Sequence, residues 1–241
     1  MSTALSSALG FAERTYELLE HTQYRRADTD EDREAIYRLR YQAYLREGTI
    51  RPSFSQRLSD GYDDLDNAWI IGVHVDARLA ASFRFHVATP EFPTMPAMQV
   101  FADELEPILG SGKTIVDPTR FVIDPAAPGD LHYVTVRVGH MAAEFVDADI
   151  VLATVRAEHQ AFYRRVFGHK LVCEPRLYPG LTKPISLMML DYPAERDNIL
   201  RRYPFFASSA AERAALFGGP DELARRIAAD RAPAVAGSRI G

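Results

Sequence analysis

Thr114-Ile-Val-Asp-Pro-Thr-Arg-Phe-Val-Ile123 is the stretch on which the fold turns. Ile115, Val116, Phe121, Val122 and Ile123 are strand formers suited to a buried sheet. Asp117, Thr119 and Arg120 interrupt them. Burying an acid and a base costs several kcal/mol unless they are paired or solvated. Pro118 cannot donate to a strand ladder, so it implies a bulge or a strand that splays from its neighbour. Asp117 and Arg120 differ in parity, and one extra residue at Pro118 brings them to the same face. A bulge beside a charged pair suits a site, or an internal ion pair with no chemistry.

Composition bounds what the rest of the chain can be. The 241 residues fit one large domain or one and a half, and 47% hydrophobic content supplies an ample core. A net charge of −5 gives no reason to expect a nucleic-acid partner. The single cysteine, Cys173, excludes an internal disulfide framework and a cysteine metal cluster, and no metal is expected. Glu13 and Arg14 interrupt any signal-like apolar run, and no apolar stretch approaches a membrane span of roughly 18 residues. The expectation is a soluble, cytoplasmic protein.

Around the central strand the periodicities predict helices over 3–20, 30–47, 98–109, 130–146 and 158–167. Strands are expected at Tyr24–Ala27, Trp69–Val75, Leu79–Val87, Ile150–Val155, Lys170–Cys173 and Ile185–Leu190. Helical pieces follow at Asp197–Arg202, Ala211–Leu216 and Asp221–Ala229, with a frayed end. The domain reading is a helical extension over 1–22, a core domain over 23–192 and a second helical extension over 193–241. Arg84, between Phe83 and Phe85 in a strand, needs an acidic partner, and Asp63, Asp66 and Asp117 are candidates. Arg40 shares a helix stripe with Tyr37, Tyr41 and Tyr44. Gly110-Ser-Gly-Lys-Thr114 mimics the end of a phosphate loop, but Pro107 stands where that motif needs glycine. A Gly-x-Ser-x-Gly elbow, a His-Glu-x-x-His helix and a dinucleotide glycine fingerprint are all missing from the sequence.

The order of elements, and Tyr163-Arg-Arg-Val-Phe-Gly168-His169 closing a helix, resemble the GNAT acyltransferases. Phe is usual where His169 stands, and Tyr163 is one residue farther from the glycine than in that pattern. Arg40-Tyr41-x-x-Tyr44, Tyr62-Asp63-x-x-Asp66, Arg84 and Asp117-x-Thr119-Arg120-Phe121 are similar in order to the acyl-homoserine-lactone synthases. Phe162-Tyr-Arg-Arg-x-x-Gly168, Arg176-x-Tyr-Pro-Gly180-Leu, Pro184-x-x-Leu-Met and Tyr203-Pro-Phe-Phe206 look like the long-chain N-acyl amino acid synthases of FeeM type. The resemblance spans about residues 24–217.

It implies an α/β GNAT-like fold, with a mixed sheet of about seven strands, helices on both faces and a splayed central strand. The implied activity transfers a fatty acyl group from the phosphopantetheine of acyl carrier protein to the α-amine of an amino acid. No tightly bound cofactor is implied, and acyl-CoA is the alternative donor. The loop Pro125-Ala-Ala-Pro-Gly-Asp130 departs from the usual CoA pyrophosphate pattern, which favours the carrier protein. By this resemblance Asp117 is the base, Tyr163 the acid to the leaving thiolate, and Arg120 and Arg84 hold a carboxylate. Arg40, Tyr44, Asp63, Asp66, Trp69, Thr119 and Phe121 are assigned to substrate binding. Phe85, Met95, Met98, Phe101 and Met141 are assigned to an acyl tunnel. Arg164, Arg165 and Lys170 are assigned to carrier-protein docking, within a basic set that also holds Arg156, Arg176 and Lys183. A homoserine-lactone-type synthase, another GNAT, and an acyl-binding regulatory module are the competing readings.

Overall fold

The computed structural model describes residues 10–227. The first turns of the helix expected over 3–20, the end of the last helix and the final ten residues lie outside the described residues. In chain order the elements are α1 (Phe11–Glu20), β1 (Thr22–Arg26), α2 (Asp30–Arg46), β2 (Ala68–Val75), β3 (Arg78–Ala88), α3 (Met98–Gly110), β4 (Ile115–Ile123), α4 (Leu131–Phe145), β5 (Ile150–Val155), α5 (Gln160–Phe167), β6 (Lys170–Leu171), β7 (Arg176–Leu177), β8 (Pro184–Asp191), α6 (Tyr192–Arg202), α7 (Ala210–Phe217) and α8 (Pro220–Arg226). Local chemistry sets several of these ends. The Thr29 hydroxyl accepts the Asp32 amide and starts α2, with Asp30, Glu31 and Asp32 at the positive end of the helix. Gly168 stops α5 in a left-handed conformation, φ 86°.

The sheet runs β1-β2-β3-β4-β5-β8-β6, with β7 on the outer edge of β8. It is antiparallel except where β4 meets β5. The strand expected over Lys170–Cys173 shortens to two residues, and two-residue β7 is additional. Among the described residues no helix is long and apolar enough to cross a membrane.

Alternation along β2 and β3 sorts the two faces of the sheet. Trp69, Ile71, Phe83, Phe85 and Val87 face one cluster with Val136, Met141, Phe206 and Phe217 from α4 and the C-terminal helices. On the opposite face, α3 brings Met95, Phe101, Leu105 and Leu109 against Ile115, Ile150, Leu152 and Leu187. Ile36 and Tyr37 of α2 cover Ile70 on that same side. The chain after β8 is part of the first cluster: Tyr192, Ile199, Tyr203, Phe205 and Phe206 are all buried in it.

Candidate active site

Two irregularities of β4 create the site. β4 pairs with β5 only at Ile115↔Ile150 and Val116↔Val151, and beyond them the strands part. On the other edge, Ser82 faces Val122 and Arg84 faces Thr119, so Arg120 and Phe121 together oppose Phe83. Arg120 is the extra residue, in a left-handed conformation at φ 53°. The bulge therefore falls at Arg120 rather than at Pro118, which keeps its register opposite Phe85. Its effect is to bring Arg120 to the face that carries Asp117, Thr119 and Arg84.

On that face Arg84 donates to Thr119 Oγ1 at 2.9 Å, to Asp60 at 2.6 Å and to Asp63 at 2.8 Å. Arg40 donates to Asp63 at 2.7 Å, and Arg120 to Asp60 at 2.5 Å. The Arg120 guanidinium lies 5.3 Å from the Tyr44 ring centroid. Burial alone raises a carboxyl pKa, yet Arg84 and Arg120 outweigh it and hold Asp60 far below the ordinary range. The same contest, won by Arg40 and Arg84, lowers Asp63 to about 2. Three arginines meet two aspartates in these ion pairs, a surplus of one positive charge. Nε and Nη2 of Arg40 and Nε of Arg120 are buried without a partner.

Asp117 is not in that network. Its Oδ2 accepts the Ala97 amide at 2.9 Å, just ahead of α3, and its Oδ1 is buried without a partner. Burial pushes its pKa up to about 7, against the pull of the Ala97 N–H and Arg84. The Asp117–Arg120 ion pair is thus replaced by a contact with the backbone N–H of Ala97, the residue before α3. Asp117 does not line the cavity described next, which corrects its placement as a substrate-facing base.

The gap between β4 and β5 opens into a cavity of about 620 Å³ that reaches both faces of the sheet. Tyr44, Arg84, Thr119, Arg120 and Tyr178 line one side, and His132, Phe162 and Tyr163 line the other. Phe121 and Ala153–Val155 border the gap itself. Tyr163 projects from α5, and burial raises its pKa, so it keeps its proton through the neutral range. His132, which no sequence signal marked, enters the wall with its Nδ1 donating to the Gly129 carbonyl at 2.7 Å.

The other assignments divide. Arg40 and Asp63 are buried beneath the cavity rather than on it. Asp66 is exposed at a separate surface hollow with Arg33, Glu222 and Arg226. Trp69 stacks on Phe85 at 5.2 Å, and its Nε1 donates to the Phe217 carbonyl, on the face away from Arg84. None of the five tunnel residues lines the cavity. Phe85 and Met141 fill one core cluster, while Met95, Met98 and Phe101 belong to the other. Strand alternation explains Phe85: beside Arg84 in sequence, it points the opposite way. Arg164, Arg165 and Lys170 are exposed. Asp60, central to the network, was missed because it sits in a polar loop. Its side chain accepts the Tyr62 amide and caps the 3₁₀ turn Gly61–Asp64.

A mixed sheet splayed at one parallel pair, with Tyr163 on the wall of the gap, is a GNAT-like fold. Residues 35–191 match the family model described as N-acyl amino acid synthase FeeM, and the chain belongs to that family. The structure of FeeM, an N-acyl amino acid synthase from uncultured soil microbes, superposes with a TM-score of 0.63 at 18% identity, over 75% of this chain and 96% of that one. The CoA-dependent acyl-homoserine lactone synthase BjaI gives 0.53 at 16% identity, over 86% and 98%. FdhC, a nucleotide-linked sugar GNAT, gives 0.52 at 9% identity, over 78% and 96%. Among curated proteins none matches the sequence.

Proposed function

We propose that the protein transfers a fatty acyl group from the phosphopantetheine thioester of acyl carrier protein to the α-amine of an amino acid. The observation that carries this reading is the surplus arginine charge opening onto the β4/β5 gap. A buried excess cation is expensive unless an anion completes it. The α-carboxylate of an amino acid does so, met by the guanidinium of Arg120, whose Nε has no other partner. A simple amine or a hydroxyl acceptor leaves the surplus uncompensated.

The rest of the cavity suits a thioester. Parted strands offer unpaired backbone groups to the pantetheine arm. We assign the developing oxyanion to a backbone N–H at the Arg120–Phe121 bulge. The amine nitrogen, having lost one proton to solvent, bonds to the thioester carbonyl carbon. The C–S bond then breaks. Tyr163 gives its proton to the departing thiolate and regains one from the new amide nitrogen. Phe121, Val122, Leu181 and Ile185 supply an apolar wall for the acyl chain, in place of the five core residues. Cys173 packs beside α3 and is not on the cavity, in keeping with direct transfer rather than a covalent enzyme intermediate. The loop Asp124–Asp130 lacks the pyrophosphate pattern, which supports the carrier protein over CoA.

Mass spectrometry of lipid extracts from cells expressing the protein, with Tyr163→Phe as the control, tests the reading. New N-acyl amino acids in the wild type alone support it. An acyl lactone identifies a homoserine-lactone-type synthase instead, and unchanged lipids exclude both.

A further inference from the structure

His169 stands where the GNAT pattern has Phe, and the reaction proposed above leaves it unused. It borders a side pocket of about 30 Å³, which shares Phe83, Pro118 and Tyr163 with the main cavity. That volume is room for one water or one hydroxyl group, not for an alkyl branch of any length. The pocket is largely apolar, with Val136, Val151, Leu152 and Leu190 in its walls, yet His140, Tyr192 and His169 also reach it.

The His169 ring meets the Tyr163 ring edge-on, with centroids 5.6 Å apart. It is 3% exposed, and neither nitrogen has a hydrogen-bond partner. Burial lowers its pKa to about 4, so the ring is neutral, with one N–H and one bare lone pair. The backbone carbonyls of Tyr163, Leu152 and Val151 lie near the ring and favour its protonated form, but none makes a hydrogen bond of good geometry to it. A carbonyl can serve only the N–H, so the lone pair has no donor. His140 does not supply one, because both its nitrogens lie against the Tyr192 hydroxyl, at 3.2 and 3.4 Å.

We propose that the preferred acyl group carries a hydroxyl on its third carbon, which enters this side pocket and donates a hydrogen bond to His169. This rests on the N-acyltransferase reading for the position of the thioester. Tyr163 marks the sulfur in the proposed reaction, and its ring is a wall common to both pockets, so the side pocket lies beside the first few carbons of the chain. On a chain built by condensing two-carbon units, the third carbon is where a hydroxyl is left after reduction of the keto group. A 3-keto group can only accept from the ring N–H, whereas a hydroxyl can serve either nitrogen.

Binding of 3-hydroxyacyl- and unsubstituted acyl-pantetheine thioesters of equal chain length, without acceptor, tests the idea by calorimetry on the wild type and His169→Phe. Phe keeps the ring packing against Tyr163 and Phe167 and removes the lone pair. The wild type should favour the hydroxyacyl thioester about three- to tenfold, the range of one net hydrogen bond, and His169→Phe should lose that preference. Equal binding by the wild type, as when a water alone fills the pocket, or a preference that survives in His169→Phe, overturns the proposal. If the preference holds but neither thioester yields an amide with any amino acid, the acceptor reading fails and the hydroxyl site stands.

Discussion

Asp117 Oδ2 accepts the backbone N–H of Ala97 at 2.9 Å, and this contact, not an arginine, is what the buried carboxyl has. Burial raises its pKa to about 7, whereas an unfolded Asp titrates near 4. Between those values the folded state holds a proton that the unfolded state has lost. Stability therefore falls as pH rises from about 4 to 7 and stays lower above it. Asp117→Asn keeps an acceptor for Ala97 and removes the titration. Urea denaturation should show a flatter pH dependence in the variant over that range. At pH 8 the variant should be more stable than the wild type by about 2–4 kcal/mol, at about 1.4 kcal/mol per pKa unit. Parallel curves for the two proteins would show that Asp117 is ionised in the fold.

Asp60 and Asp63 work in the opposite direction. Their folded pKa values are depressed, Asp63 to about 2, so their stabilisation is complete above about 4 and is lost as pH falls toward 2. Asp63→Ala leaves Arg40 and Arg84 buried without their shared partner. The expected loss is about 3–5 kcal/mol at pH 7, measured by the same denaturation, and a loss below ~1 kcal/mol would mean that water enters the network.

Arg120 separates acceptor binding from chemistry. Arg120→Met removes the surplus charge and should raise the KM for the amino acid by about tenfold or more, with a smaller change in kcat. For the corresponding amine lacking the carboxylate, kcat/KM should be unchanged by the substitution. Equal losses with both acceptors would assign Arg120 to holding β4 in shape rather than to the carboxylate.

The apolar core of β4 and its interruption were legible because strand-forming residues and a proline leave a local signature. Which residue bulges was not, because a left-handed arginine at position 120 has no signal of its own; Asp60 holds it in place from 60 residues away. Arg84 was legible as a strand arginine in need of an acid, and Asp63 is one of its partners. Methionines and phenylalanines misled because their chemistry is the same in a tunnel and in a core, and only strand facing distinguishes them. His169 was visible as a departure from a pattern, but its lack of a donor is a three-dimensional fact.

Tyr163→Phe removes one hydroxyl from a ring packed among Phe162, Phe167 and His169. The packing survives, so the fold should be unchanged. If the hydroxyl protonates the thiolate, kcat should fall by about 10²-fold or more. The loss should shrink with a thioester whose thiol has a low pKa, because that leaving group needs no proton. A uniform loss across leaving groups would place Tyr163 in binding.

Carrier proteins are acidic, so a chain of net charge −5 needs a local basic face to receive one. Arg164 and Arg165 lie exposed in the last turn of α5, the helix that carries Tyr163 to the cavity wall, and Lys170 follows three residues after that helix ends. Exposed pairs add little affinity singly, but together they raise the association rate and are screened by salt. With acyl carrier protein as donor, kcat/KM should fall steeply between about 0.05 and 0.5 M salt, as the Debye length contracts from roughly 14 to 4 Å. Reversing both residues, Arg164→Glu with Arg165→Glu, should lower kcat/KM and leave kcat at saturation nearly intact. The reversal should not alter rates with a free acyl-pantetheine thioester, which has no acidic protein surface to steer. If acyl-CoA serves as well as the carrier protein, and rates ignore both salt and the double reversal, the donor is CoA and this face has no partner.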